Sequence, residues 1–174
     1  MAEVLIALGS NMGDCLANLQ EAVWRLADTF EVQAVSSVYE TEPMYVVDQP
    51  VFMNGAVLVE ASIGPRQILN VLKRIELEIG RLQRRICGPR EIDLDLIAFG
   101  GLVYRYFNQN TIALQVPHPR VGERRFVLVP LADVAPTFLL PGIGIVAELL
   151  AQTESQAENV KKVDHALLSI QRNQ

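Results

Sequence analysis

Three observations in this sequence predict an α+β fold, a ferredoxin-like α/β sandwich with a mainly antiparallel sheet and helices packed on its faces. Short apolar and β-branched runs alternate with two long stretches whose apolar residues recur at helical spacing. Their order along the chain reads β-α-β-β-α-β, which sets the two long helices on one face of the sheet. And 174 residues without internal repeat or linker fit one domain, 1–174, large enough to bury a sizeable core.

The elements follow in order. "EVLIALGS" is a short apolar run ended by Gly9 and reads as a buried strand. Asp14 can cap the helix that follows, whose stripe is Leu16, Leu19, Val23, Leu26, Ala27 and Phe30. "VQAVSSVY" is β-branched and reads as a second strand; "TEPMYVVDQPV" (41–51) has two prolines and reads as a long loop. "FMNGAVLVE" is a third strand. Pro65 opens the second helix, with Ile68, Leu72, Ile75 and Ile79 as its stripe and Gly80 as its end. The arginine-rich segment 81–90 has neither period and is a loop. "EIDLDLIAFG" is strand four, and a turn at Gly100-Gly101 leads to "LVYRYF" as its hairpin partner. Residues 114–117 add a short strand ending at Pro117. "RRFVLVPLADV" suits a short helix or a strand equally. The chain from about 145 to 170 is expected to form one or two helices, so the part after about residue 150 is a C-terminal helical extension.

Composition narrows the function classes. Half the residues are hydrophobic and the net charge is −5, so a soluble globular protein is expected, with no nucleic-acid and no membrane partner. The two cysteines, Cys15 and Cys87, lack metal or CxxC spacing and read as reduced thiols. The N-terminal run carries Glu3 and differs from a signal peptide, so the cytoplasm is the expected compartment. Arginines cluster at Arg81, Arg84, Arg85 and Arg90, and again at Arg120, Arg124 and Arg125. Such clusters in an acidic chain suit either a small polyanionic ligand or a solvated surface.

Strand four carries two carboxylates in an apolar run. Alternation puts Ile92, Leu94 and Leu96 on one face and Asp93 and Asp95 on the other, with Cα atoms roughly 6.5–7 Å apart. Two carboxylates so placed either converge on divalent ions or form a polar outer face paired with arginines. Mg²⁺ suits such hard oxygen donors, filling its shell with water and phosphate oxygens. Arg90 and the arginine loop feed directly into this strand, and carboxylates beside guanidiniums are the division of labour that phosphoryl transfer needs. There is no P-loop, and "ALGSN" at 7–11 is not GxGxxG. His118 in "VPHPR" is either structural or a donor to phosphate or ribose. Phe52 and Phe126, each beside a polar residue (Asn54, Arg125), are either core or the two walls of a slot for a flat heterocycle.

Taken together, "ALGSNMGD", "VSSVYETEP", "DQPVFMNGAV", "RIELEIGR", "GPREIDLDLIAFG", "VPHPR" and "RRFVLVPL" resemble the 6-hydroxymethyl-7,8-dihydropterin pyrophosphokinase family of folate biosynthesis, over roughly residues 4 to 150. The resemblance implies an ATP-dependent diphosphotransferase that moves pyrophosphate from MgATP to the pterin hydroxymethyl group and releases AMP. It implies that Asp93 and Asp95 hold two Mg²⁺ ions and that Arg81 and Arg90 contact phosphates. Glu76, His118 and Arg124 would help hold ATP. Phe52 and Phe126 would stack on the pterin while Asn54 reads its edge, aided by Thr41 and the backbone around Pro43. Loops 41–51 and 81–90 match those that close over the family's site.

The chain departs from the family pattern at Cys87, where many members have an aromatic, at Gln83, and near Ala113, where members often have arginines. These departures bear on how loop 81–90 seals the site and on which of Arg84 or Arg85 takes a phosphate. Partners are the two small-molecule substrates, and a monomer is expected. Two rival classes remain: a non-catalytic ferredoxin-like binding module, and another Mg-dependent transferase that releases ADP.

Overall fold

A computed structural model describes residues 1–43, 48–82, 88–109 and 111–166. The first strand, β1 (Ala2–Ser10), is an inner strand of the main sheet, one in from its edge. Its flanking partners are β4 (Phe52–Ala61) and β5 (Asp93–Phe99), both antiparallel to it. β2 (Glu31–Val35) and β3 (Ser37–Thr41) pair in turn with the far edge of β4. The run read as one strand is thus split at Ser36. Its hydroxyl takes the Ala56 N–H at 2.8 Å and donates to the Ser37 carbonyl at 2.7 Å, so the break costs no buried hydrogen bond.

The helix signals hold except at Phe30, which lies past the end of the first helix and joins the core from the following turn. α1 (Cys15–Ala27) is capped by Asp14, whose carboxylate accepts from Ala17 N at 3.1 Å. α2 (Pro65–Ile79) starts on its proline and ends at Gly80, whose φ of 106° is the left-handed conformation a side chain disfavours. Both helices lie on one face of the sheet. Leu19, Leu26, Ile68 and Leu72 close there against Val4, Ile6, Leu8, Leu94 and Leu96 in one buried core. Leu94 and Leu96 face the helices as alternation required, which turns Asp93 and Asp95 to the opposite side.

A second core covers that opposite face. The stretch "RRFVLVPLADV" is a helix, α3 (Arg125–Val134), which packs Leu128 and Leu131 on Leu5, Ala56 and Ile97, joined by α4 (Val146–Gln152). Helices therefore lie on both faces, with α3 covering only part of the second one. A short hairpin, β8 (Leu139–Leu140) with β9 (Gly144–Ile145), precedes α4.

Two expectations are corrected. "LVYRYF" does not pair with strand four: β6 (Tyr104–Asn108) pairs with β7 (Thr111–Val116) in a separate two-stranded sheet. Gln109, just past β6 at φ 46°, turns the chain there, so the hairpin forms at this point and not at Gly100-Gly101. The chain after residue 150 is not a helical extension either. Beyond α4 and a 3-10 segment (Glu154–Asn159), it forms β10 (Val160–Ala166), antiparallel to β3 at the edge of the main sheet. Val163 packs on the core, while Lys161 and Lys162 keep the exposed edge from pairing further. Among the described residues no helix is long and apolar enough to cross a membrane.

Candidate active site

Three adjacent strands set the floor of the site in register. Gly9 of β1 lies opposite Asn54 of β4 on one side and Asp93 of β5 on the other; Ala7 lies between Ala56 and Asp95 in the same way. The central strand thus offers only a glycine and an alanine where its neighbours offer functional groups. A Cβ on Gly9 would stand 3.2 Å from Asn54 Oδ1 and 4.0 Å from Phe52. Small residues here leave a cavity of about 380 Å³ between the sheet and the start of α3.

The cavity has an aromatic end and a charged end. Phe52 and Phe126 line it with Asn54 and Thr41. Asn54 Nδ2 donates to Thr41 Oγ1 at 2.7 Å, which fixes the amide and leaves its carbonyl oxygen on the side of Gly9. The charged end holds Arg81, Arg90, Arg124, Lys73, Asp93 and Asp95. Arg90 and Arg124 also lie near the aromatic rings, 6.0 Å from the Phe52 centroid and 5.8 Å from the Phe126 centroid. One cavity therefore brings together the aromatic pair and three of the arginines that the sequence singled out separately.

Charge within it is unevenly shared. Asp93 receives Arg81 Nη1 on Oδ1 and Arg90 Nη1 on Oδ2, each at 2.6 Å. Arg81 Nη1 also reaches Glu76 Oε1 at 2.6 Å. Burial alone would lower the Arg81 pKa, but Asp93 and Glu76 outweigh it and hold the guanidinium more firmly charged. Asp95 has no such pairing among the described residues. Burial, and then the charge of Asp93, push its pKa up to about 6.

Glu76, His118 and Pro43 are not on the cavity wall. Glu76 stands behind it, 3 % exposed, accepting from the Leu94 N–H at 2.7 Å and from Lys73 Nζ at 2.9 and 3.0 Å. It joins α2 to β5 and anchors Arg81. His118 follows a cis Val116–Pro117 bond; its N–H donates to Ile97 O at 2.9 Å and its Nδ1 accepts from Arg120 N at 3.3 Å. Burial, then Arg124 and Arg120, lower its pKa to about 4, so the ring is neutral at working pH. Arg84, Arg85 and Cys87 lie outside the described residues. Lys73 and Asn11 were not singled out from the sequence. Lys73 could have been found from its i,i+3 spacing to Glu76 on a helix face; Asn11 could not, because its partners are distant in sequence.

The carboxylate pair fits a divalent ion. Its donors are hard oxygens on one face, and burial and Asp93 outweigh Lys73 and Arg124 in disfavouring the Asp95 charge, which a cation would relieve. Among the described residues no three His, Cys, Asp or Glu side chains converge to cage an ion. An ion here would complete its shell with water or ligand oxygens.

Fold and site define a small α+β protein with one cavity that has an aromatic end and a charged end. Residues 5–136 match the family described as 7,8-dihydro-6-hydroxymethylpterin-pyrophosphokinase (HPPK), and the chain belongs to that family. It is 44% identical over 136 residues to a mitochondrial folate synthesis bifunctional protein of Pisum sativum, covering 78% of this chain and 25% of that one. It is 39% identical over 151 residues to a 2-amino-4-hydroxy-6-hydroxymethyldihydropteridine pyrophosphokinase of Pseudomonas aeruginosa, covering 85% of this chain and 90% of that one. The fold is similar to that of Plasmodium falciparum HPPK-DHPS crystallised with pteroate, with a TM-score of 0.74 at 16% identity over 92% of this chain and 45% of that one. The chain thus spans about a quarter of the plant bifunctional relative and nearly the whole of the bacterial one.

Proposed function

We propose that this chain transfers pyrophosphate from MgATP to the hydroxymethyl group of 6-hydroxymethyl-7,8-dihydropterin, releasing AMP, in folate biosynthesis. The observation that carries this reading is one cavity with an aromatic, amide-bearing end and an arginine-carboxylate end. Its volume, about 380 Å³, falls in the range of small-molecule sites.

We infer these roles, which the shared cavity supports. Phe52 and Phe126 stack on the pterin faces, and Asn54, held by Thr41, reads its edge. Pro43 helps shape the backbone beyond Thr41. Arg81, Arg90 and Arg124 bind phosphate oxygens; Arg81 and Arg90 exchange Asp93 for phosphate as ATP enters. Glu76 keeps Arg81 within reach, and neutral His118, behind the wall, helps hold ATP by accepting from Arg120 N and so fixing the turn before Arg124. Asp93 and Asp95 would hold Mg²⁺, for which we infer two ions; the metal would supply charge neutralisation to the phosphates.

The pterin hydroxyl oxygen attacks the β-phosphorus in line. The bond from that phosphorus to the α–β bridging oxygen breaks, AMP carries the electron pair away, and the hydroxyl proton passes to a neighbouring carboxylate or to solvent. Positioning and charge neutralisation supply most of the rate, and no strong general base is needed. We infer a monomer acting in the cytoplasm.

Chromatography of reactions supplied with ATP, Mg²⁺ and the hydroxymethyl-dihydropterin tests the reading. AMP should form only with all three present and should vanish for Asp95→Ala. Release of ADP, or no turnover by folded protein, would favour the rival classes.

A further inference from the structure

The "GSN" segment at the end of β1 fits no phosphate-binding pattern, yet Ser10 and Asn11 are among the most buried polar residues of the chain, 0 % and 1 % exposed. Every polar atom of Asn11's amide is committed. Its Oδ1 accepts from Arg90 N at 2.9 Å and its backbone N–H returns a bond to Arg90 O at 3.1 Å. Its Nδ2 donates to Gln49 Oε1 at 3.0 Å and to Pro50 O at 3.1 Å. Around it, Ser10 Oγ donates to Glu91 O at 2.5 Å and Asn18 Nδ2 to the same carbonyl at 3.0 Å.

Asn11 therefore ties two segments that carry opposite ends of the site. Gln49 and Pro50 lead directly into Phe52, the aromatic wall. Arg90 carries the guanidinium that meets Asp93 at 2.6 Å and lies 6.0 Å from the Phe52 ring. We propose that Asn11 is a positioning residue that sets the spacing between the aromatic wall and Arg90, and so aligns the pterin hydroxymethyl group with the β-phosphorus. This rests on the pyrophosphoryl-transfer reading above.

The chemistry is selective for an amide. Oδ1 must face an N–H, while Nδ2 must face a carbonyl, Pro50 O, that can only accept. Aspartate has the same shape and keeps the acceptor for Arg90 N, but sets an oxygen against Pro50 O. Gln49→Ala removes only one of the two Nδ2 contacts. The three variants Asn11→Ala, Asn11→Asp and Gln49→Ala thus grade the tie between the segments.

The test measures, for parent and variants, the Kd of the pterin in the presence of a non-hydrolysable MgATP analogue, the Kd of that analogue alone, single-turnover AMP formation and thermal stability. Asn11→Ala and Asn11→Asp should lose roughly ten- to a hundredfold in single-turnover rate and weaken pterin binding, because small misplacements of reacting atoms are costly. Analogue binding should stay within about twofold of the parent. Gln49→Ala should shift pterin binding in the same direction by less, and still reports if Asn11→Ala does not fold. Folded Asn11→Asp with a parental rate and pterin Kd would overturn the proposal. So would equal weakening of both ligands in step with lost stability, the signature of a purely structural residue. A parent that makes no AMP removes the activity reading alone, and the split between pterin and analogue binding still decides the role of Asn11.

Discussion

Asp95 lies two residues beyond Asp93 on the same face of β5, but the two carboxylates share their surroundings unequally. Asp93 holds both Arg81 and Arg90, whereas burial and the charge of Asp93 drive the Asp95 pKa up to about 6. An acid with a raised folded pKa keeps a proton that the unfolded chain has already released. Stability therefore falls as pH rises from the ordinary carboxylate range to about 6, and the full penalty persists above it. Asp95→Asn removes that penalty. In chelator at pH 7.5 the variant should be more stable than the parent by roughly 1–3 kcal/mol, with the gap closing below about pH 4, and should be inactive. Denaturant titration at both pH values checks this; a less stable variant at pH 7.5 would be evidence against it.

His118 shows the opposite linkage. Its folded pKa is lowered to about 4, so between there and the ordinary histidine range the unfolded chain binds a proton that the folded chain refuses. Stability contributed by this site is complete at neutral pH and is lost as pH falls through that window. His118→Gln should flatten the acid limb of Tm against pH and leave the neutral plateau within about 1 kcal/mol. The pH–rate profile of the parent should show no inflection from this ring near pH 6.5.

Glu76 bonds the backbone of β5 and pairs with Arg81 at once. Glu76→Ala leaves the buried Leu94 N–H unsatisfied and Arg81 held by Asp93 alone, and should cost about 2–4 kcal/mol. Glu76→Gln keeps an acceptor for Leu94 N and should cost less than half as much, while still weakening ATP binding. Equal losses in urea for the two variants would contradict a buried hydrogen-bonding role.

Gly9 owes its identity to space and not to backbone strain, since its φ is not in the left-handed region. The alanine Cβ of Gly9→Ala would crowd Asn54 Oδ1 at 3.2 Å. Pterin binding should weaken about tenfold, with stability changed by less than about 1 kcal/mol. Equilibrium titration with pterin and a thermal melt separate these effects; a parental Kd would show that Asn54 can give way.

Much of this was legible in the residues. Alternation along "EIDLDLIAFG" separated the Leu94 face from the Asp93 face, and Asp14, Pro65 and Gly80 marked helix ends through purely local chemistry. Phe52, Asn54 and Arg90 were found through motifs, and the structure brings them together. What was not legible depends on distant partners. Asn11 acts on residues 38 and 79 positions away. The family resemblance marked Glu76 as helping to hold ATP, but its bond to Leu94 N behind the cavity wall comes from tertiary packing. The segment Val160–Ala166 is a strand because β3 offers it an edge, overriding the helical pattern read there. "RRFVLVPLADV" is apolar on too many sides for its period to decide, and only the partly open face of the sheet makes it a helix.

The central claim is that the group transferred is pyrophosphoryl and the atom attacked is the β-phosphorus. Phosphorus NMR of the pterin product, made with Mg²⁺ and ATP, tests it most directly. The account predicts a diphosphate ester on the pterin, two coupled phosphorus signals, with AMP in equal amount. A single phosphorus on the pterin, with ADP as the other product, would contradict it.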